Sequence, residues 1–241
     1  MLSGCGHQVT GLNGTGNNIV QSGQSLFRFE VVGVPDYSQY QYLIVVNAHG
    51  DGVVPIANGT NSNYKEWSFS WLVAGGPGYV NPPVLTQYFL DTSQQSTVGH
   101  INITYATGTV TFTPLSANGT VNGFDIRFNR CIVDQPSPIN PNPGQPTPAP
   151  SPHPVGQSCP PYFYLPSTTW TINIFSVTSD AQGNPVAVDS LGNGPADTSY
   201  PGFTFDTAGQ VNDQVYRKPA GYATAQQPAA QIAGFEAWSQ P

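Results

Sequence analysis

The segment Asn47-Ala48-His49-Gly50-Asp51-Gly52 is the one place where a histidine and an acid crowd a glycine turn. A catalytic or metal-binding role for His49 would need partners from elsewhere in the fold, because no two of the four histidines have metal-ligand spacing. The sequence favours the alternative, a polar turn that follows a strand. We therefore predict no metal site and no cofactor.

Other catalytic motifs are also missing from the sequence. It contains no G-x-S-x-G elbow, no P-loop and no dinucleotide fingerprint. A glycosidase needs two carboxylates at a defined separation. Among thirteen acidic residues such a pair can always be chosen, so the presence of acids does not indicate a glycosidase. Residues 180–206 mix Asp with Asn and Gly but lack the D-x-D-x-D-G spacing of a calcium loop. We predict no catalytic residues and a protein that is not an enzyme.

Four aromatic residues are candidates for ligand binding, namely Trp67, Trp71, Tyr40 and Tyr42. If their rings share an exposed face, they could stack against sugar rings and form a carbohydrate platform. Large aromatic side chains at alternating strand positions more often fill a core, because they bury much apolar area. Both interpretations remain open at the level of sequence, and the pattern favours the core.

The N-terminal residues Leu2-Ser3-Gly4-Cys5 resemble the lipobox of bacterial lipoproteins. In that family a signal peptidase cuts before the cysteine, whose thiol carries a diacylglyceryl group. The resemblance implies that Cys5 is lipidated and that the protein is exported and anchored to a bacterial membrane, in the periplasm or at the cell surface. Because a secretory signal has a basic and an apolar region, we expect such regions to precede Met1.

The chain has three cysteines, and in an exported protein an odd number leaves one cysteine without an intramolecular disulfide partner. If Cys5 carries the lipid, as the resemblance implies, Cys131 and Cys159 remain as a candidate disulfide. The chain-entropy model gives such a bridge roughly 3–4 kcal/mol of stabilisation. Two free buried thiols are the alternative.

Composition limits the classes of partner and of fold. Charged residues make up only 8% of the 241 residues, and the net charge is −7. Nucleic-acid binding requires a basic surface, so we predict that the protein does not bind nucleic acid. No apolar run approaches the roughly 20 residues that a membrane-spanning helix needs. The low charge is typical of β-rich proteins that work outside the cytoplasm, and the aromatic content of 12% supplies material for a core.

Residues 25–133 carry short runs of alternating apolar and polar side chains, as strands do. Residues 40–47 are apolar on both faces, as a central strand would be. The runs cover residues 25–32, 40–47, 66–73, 84–90, 101–105, 109–113 and 124–129. A glycine turn between 101–105 and 109–113 predicts a hairpin. Seven strands without a helical period predict an all-β fold, an immunoglobulin-like antiparallel β-sandwich.

The rest of the chain divides at a proline-rich stretch. Residues 134–161 contain eleven prolines, which favour an extended polyproline II spacer. Strand runs follow at 168–178, 185–188, 202–206 and 232–238, with a loop-rich segment before the last. The predicted organisation is a lipobox and flexible tether (1–24), a β-sandwich domain (25–133), the proline-rich linker (134–161) and a smaller β-rich domain (162–241). Packing of the last region on the sandwich is the alternative.

Together these features predict a non-catalytic lipoprotein of the cell envelope or cell surface. It would act by binding or as a structural component, held to the membrane through its lipid anchor. Polysaccharide and other envelope proteins are the expected partners. One alternative is a self-associating fibre or surface-layer subunit that uses β-strand addition, since the chain has only two lysines to guard its sheet edges. A carbohydrate-binding module is the other alternative.

Overall fold

β-Strands dominate the described part of the chain, which contains no α-helix. The computed structural model describes residues 20–21, 23–48, 50–56, 69–74, 84–90, 98–101, 110–115, 122–130, 168–182, 185–197, 199–207 and 212–240. The predicted all-β class is confirmed for these residues. Within the same ranges, no helix is long and apolar enough to cross a membrane.

The strands follow one another along the whole described chain. Their bounds are β1 Gln24–Val31, β2 Gln41–Asn47, β3 Phe69–Ala74, β4 Val84–Leu90, β5 Val98–Ile101, β6 Val110–Leu115, β7 Asn122–Asn129, β8 Thr169–Ser179, β9 Pro185–Ser190, β10 Phe203–Asp206, β11 Asn212–Arg217 and β12 Ile232–Gln240. Every pairing between them is antiparallel.

The strands form two sheets. The first sheet has the order β11-β12-β1-β7-β6, so β1 lies in the middle with β12 on one side and β7 on the other. The second has the order β10-β8-β2-β3-β4-β5, and β9 also pairs with β8. β10 pairs with the first residues of β8, whereas β9 pairs with its last residues.

Strands from the two β regions predicted from the sequence are hydrogen-bonded to each other in both sheets. In the first sheet β1 pairs with β12, and Phe29 lies opposite Phe235. In the second sheet β2 pairs with β8, and Ile44 lies opposite Ile174. Residues from 25–133 and from 162–241 therefore build the same core.

The core lies between the sheets and is rich in aromatic rings. Phe27 of the first sheet packs edge-on against Trp170 of the second, with ring centroids 6.3 Å apart. Trp71 of the second sheet packs against Phe128 of the first at 5.4 Å. All four side chains are at most 1% exposed. Burial of this much apolar area is the main force that holds the two sheets together.

A second apolar cluster lies on the other face of the second sheet. Leu43, Val45, Phe175 and Val177 form it, and each is at most 5% exposed. β2 is therefore buried on both faces, because Tyr42, Ile44 and Val46 point into the main core. The prediction of a doubly buried central strand at 40–47 is confirmed.

The predicted hairpin of 101–105 and 109–113 falls mostly on residues 102–109, which lie outside the described residues, so it stays a prediction. Its described ends belong to β5, which pairs with β4, and to β6, which pairs with β7. The segment before β12, predicted to be rich in loops, contains one strand that was not predicted, β11, which pairs with β12 at the edge of the first sheet. The sequence of β11 is NDQVYR, and it shows no alternation of apolar and polar residues. An edge strand such as β11 buries little of its surface, so it does not need an apolar face.

Candidate functional site

Several residues that the sequence singles out lie outside the described residues. They are the lipidation candidate Cys5, the disulfide candidates Cys131 and Cys159, the aromatic residue Trp67 and the histidine His49. The proline-rich stretch 134–161 also lies outside them. Lipidation and the disulfide stay predictions.

The other aromatic candidates belong to the core. Tyr42 and Trp71 have no exposed surface, and Tyr40 is half-buried and packs against the same cluster. A sugar-stacking platform needs exposed ring faces, so Tyr42 and Trp71 cannot supply one. The structure thus places these two rings where the favoured interpretation of the alternating pattern puts them.

Tyr42 uses its hydroxyl to join two distant segments. Its O–H donates to the Ala229 carbonyl at 2.9 Å, and its oxygen accepts from the Asp36 N–H at 2.9 Å. Burial raises the pKa of the Tyr42 phenol, so it stays protonated and keeps its donor. The residue therefore fastens the segment before β12 to the loop before β2.

The predicted polar turn after β2 is held together by hydrogen bonds among its own residues. The side-chain amide of Asn47 donates to Asp51 Oδ1 at 2.8 Å and to the Val53 carbonyl at 2.8 Å. Asp51 Oδ1 also accepts from the Val53 N–H at 3.0 Å. Asp51 acts here as a turn residue, because its carboxylate satisfies local donors.

A buried carboxylate, Asp189, marks the most distinctive polar cluster of the described chain. β9 carries a bulge, since Ala187 lies opposite Val177 while Asp189 lies opposite Ser176. The extra residue changes the alternation of side chains. Ala187 packs on the outer cluster, whereas Asp189 shares the face of Ser176 and is 1% exposed. The bulge therefore turns an acid toward the interior.

Lys218 meets this carboxylate from the other sheet. It follows β11 and extends the ladder by one residue, since its N–H donates to the Ala233 carbonyl at 2.9 Å. Its Nζ forms an ion pair with Asp189 Oδ1 and donates to the Ser190 carbonyl at 2.7 Å. The Lys218 side chain is only 3% exposed. The pair thus joins β9 of the second sheet to the end of β11 in the first.

Two backbone donors complete the cluster. The Ser190 N–H donates to Asp189 Oδ1 at 2.8 Å, and the Ile232 N–H donates to Asp189 Oδ2 at 2.8 Å. Burial lowers the pKa of the Lys218 ammonium, and its hydrogen bond and charge interaction with Asp189 offset this only in part. The cluster combines a desolvated amine with a carboxyl group held by three donors.

A cleft lies next to Lys218. Its volume is about 430 Å³, and its polar side chains are Lys218, Tyr222, Thr224 and Gln231. This volume is within the range of small-molecule sites, roughly 300–1,000 Å³. The Gln231 amide donates to the Thr224 hydroxyl at 3.2 Å, and the Lys218 ammonium is directed at Asp189 and Ser190. The cleft therefore presents mainly uncharged groups.

Ion pairs cross the outer face of the first sheet. The Arg28 guanidinium on β1 donates to both oxygens of Asp125 on β7, at 2.8 and 2.9 Å. Its third nitrogen, Nη1, lies 3.6 Å from Glu236 Oε2 on β12. Arg28 thus links three adjacent strands, and its two-pronged geometry fixes their register.

A second ion pair on this face passes over a glycine. Arg217 Nη1 on β11 lies 2.9 Å from Glu30 Oε2 on β1, so the side chain must cross β12. It crosses at Gly234, where an added Cβ would lie 2.8 Å from Arg217 Nη1. Desolvation raises the pKa of Glu30, although the Arg217 and Arg28 charges oppose this effect. The glycine therefore leaves room for the interstrand pair.

Comparisons with known proteins assign no family to this chain. No family model, no curated protein and no solved structure matches it. Among the described residues, no group of three or more His, Cys, Asp or Glu could hold a metal ion.

The sequence did not single out the pair of Lys218 and Asp189. The only indirect signal in the sequence is the small number of lysines, since the chain has two, Lys65 and Lys218. A bulge cannot be read from alternation alone, and unbulged alternation would place Asp189 on the outer face with Ala187. Only the register of β9 against β8 reveals the pair.

Proposed function

We propose that this protein is a non-catalytic lipoprotein of the bacterial cell envelope, exported and held to the membrane by a lipid on Cys5. The two packed sheets are interpreted as an immunoglobulin-like β-sandwich, and residues 134–161 as a proline-rich spacer. The protein acts as a structural component or by binding envelope polysaccharide or other envelope proteins. The lipobox resemblance supports the location, and the arrangement of charges supports the structural role.

The observation that carries this proposal is the way four of the five described lysine and arginine side chains are used. Arg28 joins three strands, Arg217 reaches across one strand to Glu30, and Lys218 joins the two sheets. Arg130, which follows β7, donates to the Thr207 carbonyl after β10 at 2.6 Å, a further contact between the sheets. Charges that tie strands together favour a load-resisting module over a reaction site.

The lipid anchor is tested by comparing the chain with a Cys5→Ala variant in a bacterium that processes lipoproteins, each preceded by the same lipoprotein signal. We expect the parent chain in the membrane fraction, with acyl mass on its N-terminal cysteine. The variant should leave the membrane fraction without losing its fold, because Cys5 precedes β1 by many residues. Recovery of the parent chain with an unmodified Cys5 would overturn the proposal.

A second candidate function, self-assembly by strand addition, is favoured by one edge of the first sheet. β6 is the last strand of that sheet and pairs with β7 alone among the described strands. Its residues VTFTPL carry no charge, whereas natural edge strands are usually guarded by charged side chains. Pro114 is the one guard on this strand, since it lacks a backbone donor.

Strand addition is tested by placing a lysine on this edge. Thr111→Lys should abolish self-association, because a charged side chain on an edge strand opposes pairing with a second strand. Ala220→Lys adds the same charge in an exposed loop and serves as the control. Sedimentation velocity across a range of protein concentrations measures the effect. A parent chain that stays monomeric at high concentration would exclude this candidate.

A further inference from the structure

The pair of Lys218 and Asp189 has the geometry of two reactants rather than of an ordinary surface ion pair. Nζ contacts the carboxyl group directly, and both side chains are at most 3% exposed. Such a pair holds its groups together without competing water. Positioning of this kind replaces an encounter in solution by a reaction within one molecule, which lowers the entropic barrier.

Burial also favours the reactive form of the amine. A charged amine is costly to remove from water, and burial lowers the pKa of the Lys218 ammonium. Transfer of one proton from this ammonium to the carboxylate that it contacts gives a neutral amine and places a hydroxyl group on the carboxyl carbon. The neutral amine has a free electron pair on nitrogen and is therefore a nucleophile.

The backbone supplies donors where charge would develop. The Ser190 and Ile232 N–H groups each donate to one oxygen of Asp189 at 2.8 Å. Attack of an amine on a carboxyl carbon places negative charge on a carboxyl oxygen. Because each oxygen already has one backbone donor, the oxygen that takes the charge keeps an N–H that stabilises the tetrahedral intermediate, as in an oxyanion hole.

We propose that Lys218 Nζ and Asp189 Cγ join in an intramolecular amide bond that links the two sheets. The nitrogen forms a bond to Cγ, and the bond from Cγ to the hydroxyl oxygen breaks. The hydroxyl group leaves with one proton from the nitrogen as a molecule of water, so the step needs no oxidant, reductant or second substrate. The product ties together residues 29 apart in the sequence.

The location of the link indicates how it would stabilise this fold. It would join β9, at one edge of the second sheet, to the end of β11, the edge strand of the first. Both strands have few hydrogen-bonded neighbours, so they are the parts of the sheets that would separate most readily. A covalent bond here would hold the two layers together when non-covalent contacts fail.

The intact mass of the purified chain tests the proposal directly. For the chain produced without a lipoprotein signal and with its cysteines reduced, we expect a mass lower than that of the sequence by one water molecule. After full denaturation, an amine-reactive label should modify Lys65 but not Lys218. Fragmentation of a protease digest should yield one branched peptide that contains both Lys218 and Asp189.

Matched variants distinguish this bond from other losses of water. Lys218→Arg keeps the positive charge but should restore the full sequence mass, whereas Lys65→Arg should retain the loss. A loss of water that persists in Lys218→Arg would reflect another site, such as cyclisation at Asp51-Gly52, and would overturn the proposal. So would a parent chain of full mass whose Lys218 is labelled after denaturation. Because the parent chain is decisive alone, the result does not depend on whether the variants fold.

Discussion

Gly234 offers a direct test of how the outer face of the first sheet is held together. We consider Gly234→Ala. The added Cβ would lie 2.5 Å from the Tyr216 carbonyl oxygen, 2.8 Å from Arg217 Nη1 and 3.1 Å from Arg217 Cδ. The Arg217 side chain must therefore lift away from β12, and the backbone at Tyr216 must shift as well.

The magnitude follows from what the displaced arginine leaves behind. Glu30 is buried, with a side-chain exposure of 7%, whereas Arg217 is 50% exposed. The ion pair itself contributes about 1 kcal/mol or less, because one partner is exposed. Loss of a partner for the buried carboxylate adds about 1 kcal/mol or more, and overpacking against the β11 backbone adds about 1 kcal/mol or more. We expect a loss of roughly 3 kcal/mol in the free energy of unfolding.

Urea unfolding and thermal melting measure this loss. For a domain of this size, roughly 3 kcal/mol lowers Tm by roughly 6–12 °C. Gly194→Ala is the matched control, because a Cβ there would meet nothing within 4 Å and the backbone lies outside the left-handed region. We expect the control to change the free energy of unfolding by about 0.5 kcal/mol or less.

A double-mutant cycle identifies the cause. In an Arg217→Ala background the added methyl group no longer displaces the arginine, so Gly234→Ala should cost about 2 kcal/mol less than in the parent chain. An equal cost in both backgrounds would refute the view that Gly234 exists to let Arg217 reach Glu30. The remaining cost would then come from the Tyr216 backbone alone.

Three further perturbations test other parts of the fold, each by urea unfolding. Tyr42→Phe should lower the free energy of unfolding by about 1–3 kcal/mol, because Asp36 N–H and the Ala229 carbonyl lose their partner. An unchanged free energy of unfolding would contradict the role assigned to the Tyr42 hydroxyl. Phe27→Ala should cost about 3–5 kcal/mol, since its buried ring contacts aromatic rings of both sheets; a loss below about 1 kcal/mol would contradict the core described above. Burial raises the pKa of Glu30, so the folded state favours its protonated form and stability falls as pH rises above the ordinary glutamate pKa. Relative to Glu30→Gln, the parent chain should therefore lose stability between acid and neutral pH, and parallel profiles would contradict that sign.

Much of the strand content could be predicted because the strands bury their apolar faces in a regular alternation. The run at 40–47 marked β2 by being apolar on both sides, and the alternation of Phe124, Ile126 and Phe128 marked β7. Such patterns depend on burial of alternate side chains, which is a local property of a strand. They identify strands without identifying the neighbours of those strands.

Pairing between strands could not be predicted, because it depends on contacts distant in sequence. The alternation in β1 and in β12 predicts two strands, yet nothing in it shows that these two strands pair with each other. β11 was missed because its residues are mostly polar. The meeting of Lys218 with Asp189 requires both a bulge in β9 and the approach of the two sheets.

The position of β1 limits the order in which the molecule can assemble. β1 is the middle strand of its sheet, yet one of its two partners is β12, which is formed by residues 232–240 and lies about 200 residues further along the chain. A growing polypeptide cannot complete this sheet until residues 232–240 have been synthesised. Closure of so long a loop makes the pairing slow. We therefore expect nascent chains to stay open, and to need shielding from one another until β12 emerges.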